Sequence, residues 1–180
     1  MKIVNIKSLN ETQLTQAAQM LSDELPLGWP ELSDAMQDMK ELLNDESGAE
    51  FVATIDDNEV IGWCGILPRY DGNVFELHPL VVRHDWQRKG IGTALVNEIA
   101  NIARSKGGLT IWAGADDEKP GGETSFANVD LYDDLPKRIK EFTPGTHQAA
   151  FYLKLGFKIT GVMPDANGIG KPDIYLAKSL

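Results

Sequence analysis

Apolar residues recur along this chain with two periods, 3.6 and 2 residues, and the switching between them outlines an α/β order. Residues 2–6 (KIVNI) predict a short strand. Leu14, Ala17, Ala18, Leu21 and Leu25 then recur at helical spacing, with Ser8 and Glu11 as a candidate capping box. Pro26, Gly28 and Pro30 break that helix. Leu32, Met36, Met39 and Leu43 predict a second amphipathic helix, with Asp34, Asp38 and Glu41 off its apolar stripe. Two β-rich runs, 50–55 and 60–67, flank the turn signal Asp56-Asp57-Asn58, and a third, 74–82, follows Asp71-Gly72-Asn73. Ile91, Leu95, Ile99 and Ile102 mark a long helix that stops near Gly107-Gly108. Residues 109–113 predict a short strand buried on both faces, and 116–134 an acidic, irregular segment. A helix over about 146–155 ends at Gly156, and strands at 157–162 and 172–178 close the chain around a turn at 164–170. Early hairpins followed by a βα pattern predict a mixed sheet with helices on both faces. With no repeat, low-complexity tract or linker, residues 1–180 read as a single domain.

Composition narrows the function classes. The 180 residues carry 17 basic and 27 acidic side chains, a net charge of −10. They are 42% hydrophobic and 24% charged, the values of a globular chain long enough to bury a core without disulfides or structural metal. The acidity argues against nonspecific binding to nucleic acid or an anionic membrane and suits a cationic small molecule. It is also local: residues 31–50 and residues 116–134 each hold seven acids and one base. No run approaches the roughly 18–20 apolar residues that span a bilayer, and MKIVNIKSLN has no apolar signal core. Cys64 is the only cysteine, so no intrachain disulfide forms; it reads as a buried apolar filler, and a reducing cytoplasm is the expected compartment. His84 and His147 are expected at the surface, and the three scattered histidines make no metal site.

The most informative segment is Val81-Val82-Arg83-His84-Asp85-Trp86-Gln87-Arg88-Lys89-Gly90-Ile91-Gly92-Thr93. A strand ends, a basic glycine-containing turn follows, and a long helix begins. Unpaired N–H groups and the positive dipole end of a helix favour an anion there, and glycines let a phosphate approach the backbone. Arg83, Arg88 and Lys89 add positive charge. A P-loop is absent, and the third glycine of a Rossmann turn is replaced by Leu95. On spacing alone, the segment is either a pyrophosphate cradle or a solvated helix start.

A second strand feature bears on chemistry. Period-two alternation over 74–82 places Val74, Glu76, His78, Leu80 and Val82 on one face, and Phe75, Leu77 and Val81 on the other. Two ionisable groups on an apolar strand mark either a rim position or a site. A carboxylate such as Glu76 can hold an incoming ammonium and take its proton. Pro79 lacks an N–H, so it interrupts the ladder and predicts a bulge.

Gln87-x-x-Gly90-x-Gly92 after a Val-rich strand resembles the acetyl-CoA motif of the GNAT N-acetyltransferases. Ala150-Phe151-Tyr152-Leu153-Lys154-Leu155-Gly156-Phe157 resembles the later signature of that superfamily. The resemblance runs through the whole chain in element order. It implies the GNAT fold, a central mixed, mostly antiparallel sheet flanked by helices on both faces. It also implies acetyl-CoA as co-substrate, without metal, held by Leu80, Val81, Val82, Gln87, Arg88, Lys89, Gly90, Ile91, Gly92 and Thr93. In that family the Glu76 strand lines the cleft, the N–H after the bulge (Leu80) polarises the thioester carbonyl, and the tyrosine at Tyr152 meets the departing thiolate. The plain alternative for Tyr152 is an aromatic packed on the sheet.

Longer blocks narrow the resemblance. Phe75-Glu76-Leu77-His78-Pro79-Leu80-Val81-Val82, the stretch 108–117, the stretch 161–168 with Lys171-Pro172-Asp173-Ile174, and Leu27-Gly28-Trp29-Pro30-Glu31 resemble the chromosomal aminoglycoside 6′-N-acetyltransferases of Gram-positive bacteria. That resemblance implies Glu76 and His78 as the catalytic carboxylate and its neighbour, and Asp116 and Asp117 as an acidic acceptor loop; Trp29, in the loop between Gly28 and Pro30, is either a core residue or a wall of the acceptor cleft. It implies acetyl transfer to the 6′-amine of an aminoglycoside, in a homodimer; because no motif positions a serine or cysteine nucleophile, direct attack in a ternary complex is the expected mechanism. Phe75 stands where that family has tryptophan, and 118–134 matches poorly, which bears on the acceptor. A polyamine or a peptide or protein amine suits the same acidic cleft, and a non-catalytic acyl-CoA-binding module is the alternative of a different class.

Overall fold

The computed structural model describes all 180 residues. Its elements are β1 (Lys2–Asn5), α1 (Glu11–Glu24), α2 (Leu32–Leu43), β2 (Glu50–Asp56), β3 (Glu59–Arg69), β4 (Val74–Val82), α3 (Ile91–Ser105), β5 (Thr110–Asp116), α4 (Leu135–Lys140), α5 (Ala149–Lys154), β6 (Lys158–Met163) and β7 (Asp173–Ser179). The class is mixed α/β with a seven-stranded sheet. The chain divides into two compact units, residues 1–111 with 180, and residues 112–179. No helix is long and apolar enough to cross a membrane.

In the first unit the strand order is β1-β2-β3-β4, each pair antiparallel. The β2–β3 hairpin turns on Asp57 and Asn58, at φ 44° and 69°, the left-handed pair that matches strand twist. Helix α1 starts two residues later than Ser8 and Glu11 suggest. Asn10 caps it, accepting from the Gln13 N–H while the Gln13 side chain accepts from the Asn10 N–H. Helices α1 and α2 cover one face of these strands. There the Trp63 indole is fully buried and donates to the Ala17 carbonyl at 2.9 Å, among Ile6, Leu21, Met39, Phe51 and Val81. Helix α3 covers the opposite face through Ile91, Leu95 and Ile99, all buried. Gly62, next along β3 from Trp63, lies under it: a Cβ there would sit 3.2 Å from Ile91 Cγ2. Cys64 is fully buried, as its filler role requires.

The bulge expected at Pro79 is present, and it changes the alternation. Along β3 the register passes from Ile66 to Cys64, two residues; along β4 it passes from Leu77 to Leu80, three. The extra residue on β4 inverts the phase of every side chain beyond it. Glu76 pairs with Leu67, which packs on the α1–α2 core, whereas Leu80 pairs with Cys64 and Val82 with Gly62 on the α3 side. Val81, opposite Trp63, takes the α1–α2 side. The single face expected for Glu76, His78, Leu80 and Val82 is therefore corrected: Glu76 and His78 face α1 and α2, and Leu80 and Val82 face α3.

In the second unit the order is β5-β7-β6, with β6 and β7 antiparallel from Lys158↔Ala177 to Met163↔Asp173. Strand β5 extends to Asp116 and alternates buried with less buried positions, so it is not buried on both faces throughout. Residues 117–134 are irregular, as expected. Helix α4 was not legible in the apolar pattern; it forms because Asp134, at φ 53°, accepts from the Lys137 N–H, with a proline in the first turn. Helix α5 is shorter than the span 146–155.

Candidate active site

On the α1–α2 face of the first unit, five side chains converge. The Arg69 guanidinium, at the end of β3, reaches Glu76 Oε2 through both Nε and Nη2, each at 2.7 Å. Both contacts fall on one carboxylate oxygen. The His78 ring lies 6.0 Å from the Trp29 ring, tilted by 41°. Trp29, in the loop between α1 and α2, donates its indole N–H to Asp38 Oδ2 at 2.6 Å. Burial pushes the His78 imidazole below its usual range, against the opposite pull of Glu76 and Asp38, so it is neutral at pH 7. An aromatic ring, a neutral imidazole and two carboxylates thus line a face suited to an ammonium group.

Arg69 and Asp38 are functional candidates that the motifs did not single out. Hairpin register carries the signal for Arg69: it lies two residues beyond Leu67, the partner of Glu76, and is therefore a diagonal neighbour on the same face. Asp38 was legible only as an acid off the α2 stripe. Phe75, by contrast, is buried on the α3 side; a Cβ on Gly108 would lie 2.7 Å from its ring. The residue that replaces a tryptophan therefore faces away from Glu76.

The glycine turn is braced from α1. Glu24 Oε1 accepts the His84 N–H at 2.7 Å and Oε2 accepts the Gln87 amide at 3.0 Å, and that same amide donates to the Val82 carbonyl at 3.0 Å. Gln87 thus ties the turn to the end of β4. Arg83 is engaged by Glu59 and Asp85, each at 2.8 Å, which removes it from the set of cations open to a ligand. Arg88 and Lys89 are exposed and outside any ion pair; Lys89 Nζ lies 4.7 Å from the Trp86 ring centroid. Gly90 precedes α3 at φ 86°, no side chain caps the helix, and its first turn has no acid. Such a helix start leaves its N–H groups open to an anion.

In the second unit, Asp116 ends β5, exposed, with Oδ1 accepting the Asn167 amide. Asp117 is fully buried; its two oxygens accept the Glu123 and Thr124 N–H groups, each at 2.8 Å. That carboxylate organises the loop that follows β5. His147 is buried at 3% exposure, which corrects its expected surface position. It spans 2.9 Å from Nε2 to the Asp116 carbonyl and takes the Ala149 N–H on Nδ1, fixing the start of α5 to the end of β5. Tyr152 on α5 is 5% exposed and packs edge-on against Phe151 and tilted against Phe157.

Residues 14–120 match the family model described as acetyltransferase (GNAT) family. The chain belongs to that family. This GNAT chain is an N-acetyltransferase, and acetyl-CoA is the co-substrate of its chemistry. A crystal structure of an aminoglycoside 6′-N-acetyltransferase complexed with coenzyme A is 36% identical to it, covering 99% of this chain and 97% of that one, with a TM-score of 0.89. The aminoglycoside 6′-N-acetyltransferase from Enterococcus faecium gives 36% identity, the same coverage and a TM-score of 0.87. Aminoglycoside N(6′)-acetyltransferase type 1 of Stenotrophomonas maltophilia is 31% identical over 103 residues, 53% of this chain and 67% of that protein. The uncapped, acid-free start of α3 with Arg88 and Lys89 fits the anionic pyrophosphate of that co-substrate. No group of three or more His, Cys, Asp or Glu side chains gathers as a metal site.

Proposed function

We propose that this enzyme acetylates the 6′-amine of an aminoglycoside by direct attack in a ternary complex, as a cytoplasmic homodimer whose 180 residues act as one GNAT domain. The face formed by Trp29, Asp38, Glu76 and His78 carries the reading, because it presents two carboxylates and an aromatic ring to a cationic acceptor. Relatives that act on aminoglycosides and align over 99% of the chain support the choice of acceptor.

Bound acetyl-CoA supplies an acyl group activated as a thioester. The backbone of Leu80, Val81 and Val82 and the turn Gln87, Arg88, Lys89, Gly90, Ile91, Gly92 and Thr93 hold it, Arg88, Lys89 and the α3 N–H groups facing its phosphates. Glu76 receives the acceptor ammonium and takes a proton from it, directly or through water, leaving a neutral amine. Neutral His78 and Trp29 orient that amine without adding a competing charge. The Leu80 N–H donates to the oxygen on which negative charge develops. Tyr152 holds a proton for the leaving sulfur. Asp116 adds negative charge for further ammonium groups of the acceptor, while Asp117 shapes its loop. No motif positions a serine or cysteine nucleophile, and the only thiol, Cys64, is buried with its thiol pushed up by burial, which favours direct attack over a covalent acetyl-enzyme.

Glu76→Gln tests the reading. Single-turnover transfer to kanamycin A should fall by about 10²- to 10⁴-fold, the usual contribution of a general base, and acetyl-CoA affinity should hold. An unchanged rate removes Glu76 from the chemistry.

A further inference from the structure

Arg69 occupies the group that the reaction needs. Its Nε and Nη2 both contact Glu76 Oε2, and Oε1 lies outside the pair. The Arg69 side chain is 48% exposed and that of Glu76 20%. A long, half-exposed guanidinium on the last residue of a strand can leave its partner by rotamer change alone, without moving the sheet. An ammonium arriving at Glu76 therefore meets a cation already in place.

We propose that Arg69 is a positioning residue that acts as an internal counter-ion: it holds the Glu76 carboxylate aimed until an acceptor ammonium displaces it. The inference rests on the reading of Glu76 as the group that receives the acceptor amine. Its consequence is competitive. The acceptor must take the place of a guanidinium, so Arg69 weakens acceptor binding and sets how strongly any amine engages the site. Removing it should tighten amine binding by about two- to fivefold, the range of a partly exposed ion pair. Two other titratable groups share this face, His78 on β4 and Asp38 on α2, and Asp45 after α2 also feels the Arg69 charge.

The experiment uses the full chain saturated with coenzyme A. Glu76 is followed through its side-chain carboxyl ¹³C resonance, assigned by its loss in Glu76→Gln. Ethylammonium chloride is the probe, so the readout does not depend on aminoglycosides being the acceptor. In Arg69→Gln the resonance should shift at a two- to fivefold lower ethylammonium concentration than in the wild type. Arg69→Met keeps the aliphatic stem and should behave alike, whereas Arg69→Lys should stay close to wild type. Equal or weaker ethylammonium binding in both neutral variants overturns the proposal. Kanamycin A titrated in parallel separates the two ideas: if ethylammonium gives the predicted shifts and kanamycin A does not bind, the acceptor assignment falls and the role of Arg69 stands.

Discussion

Substituting Gly65 by alanine should unsettle the fold at the point where it shapes the site. Gly65 lies on β3 opposite the β4 bulge. A Cβ there would sit 2.1 and 2.3 Å from two ring carbons of Phe51 and 2.8 Å from the His78 carbonyl oxygen. Phe51 is 2% exposed and packs against Trp63 at 6.5 Å between centroids, so the ring has nowhere to retreat. The carbonyl is backbone and moves only with the bulge. Overpacking of this kind costs about 2–3 kcal/mol. For a chain of this length that corresponds to a fall in Tm of roughly 5–10 °C. Urea unfolding followed by circular dichroism and tryptophan fluorescence measures it. The double variant Gly65→Ala with Phe51→Leu removes part of the ring that the methyl strikes, so its loss should fall short of the sum of the single losses by about 1 kcal/mol. Turnover should drop in Gly65→Ala, because His78 and the Leu80 N–H sit on either side of the displaced peptide. A loss below about 0.5 kcal/mol, or strict additivity in the double variant, would refute the packing argument.

Asp117→Ala should destabilise the second unit by about 2–4 kcal/mol, because the N–H groups of Glu123 and Thr124 lose their acceptor in a buried place, whereas Asp116→Ala, at an exposed position, should stay within about 0.5 kcal/mol; equal losses in urea unfolding would contradict this. His78 titrates below its usual value in the folded state, so the unfolded chain binds its proton first as pH falls. The stability from keeping it neutral is present above the unfolded value of about 6.5 and is lost on acidification toward the folded value. The wild type should therefore lose stability between about pH 7 and 5 more steeply than His78→Gln, and parallel slopes would rule out the effect.

Much of the fold was legible because periodicity reports on packing. The strand 74–82 and the long helix after Gly90 appear where the apolar pattern puts them, and the bulge follows from the missing N–H of Pro79. What the pattern could not carry was the consequence of that bulge, since strict alternation holds only while the register does. The site divides the same way. Glu76, His78 and Trp29 gather on one face, but Arg69 and Asp38 join them through hairpin register and a loop contact that no linear motif encodes. The acidic segment 116–134 reads differently in three dimensions. Asp117, Asp130 and Asp134 accept backbone N–H groups, and Glu123 engages Lys119 and Thr146. Charge that suggested an acceptor surface is largely used to fold a loop lacking regular structure. His147 was hidden for the same reason: a lone histidine in a polar stretch carries no sign of the carbonyl and N–H that enclose it.

The most direct measurement of the central claim is a comparison of kcat/KM for kanamycin A, spermidine and a lysine peptide, with purified protein and saturating acetyl-CoA, read by released thiol. Specificity for an acceptor is a ratio of these constants. The account predicts that kanamycin A exceeds both others by at least about tenfold and that Glu76→Gln abolishes the difference. A value for kanamycin A no higher than that for spermidine or the peptide would contradict it.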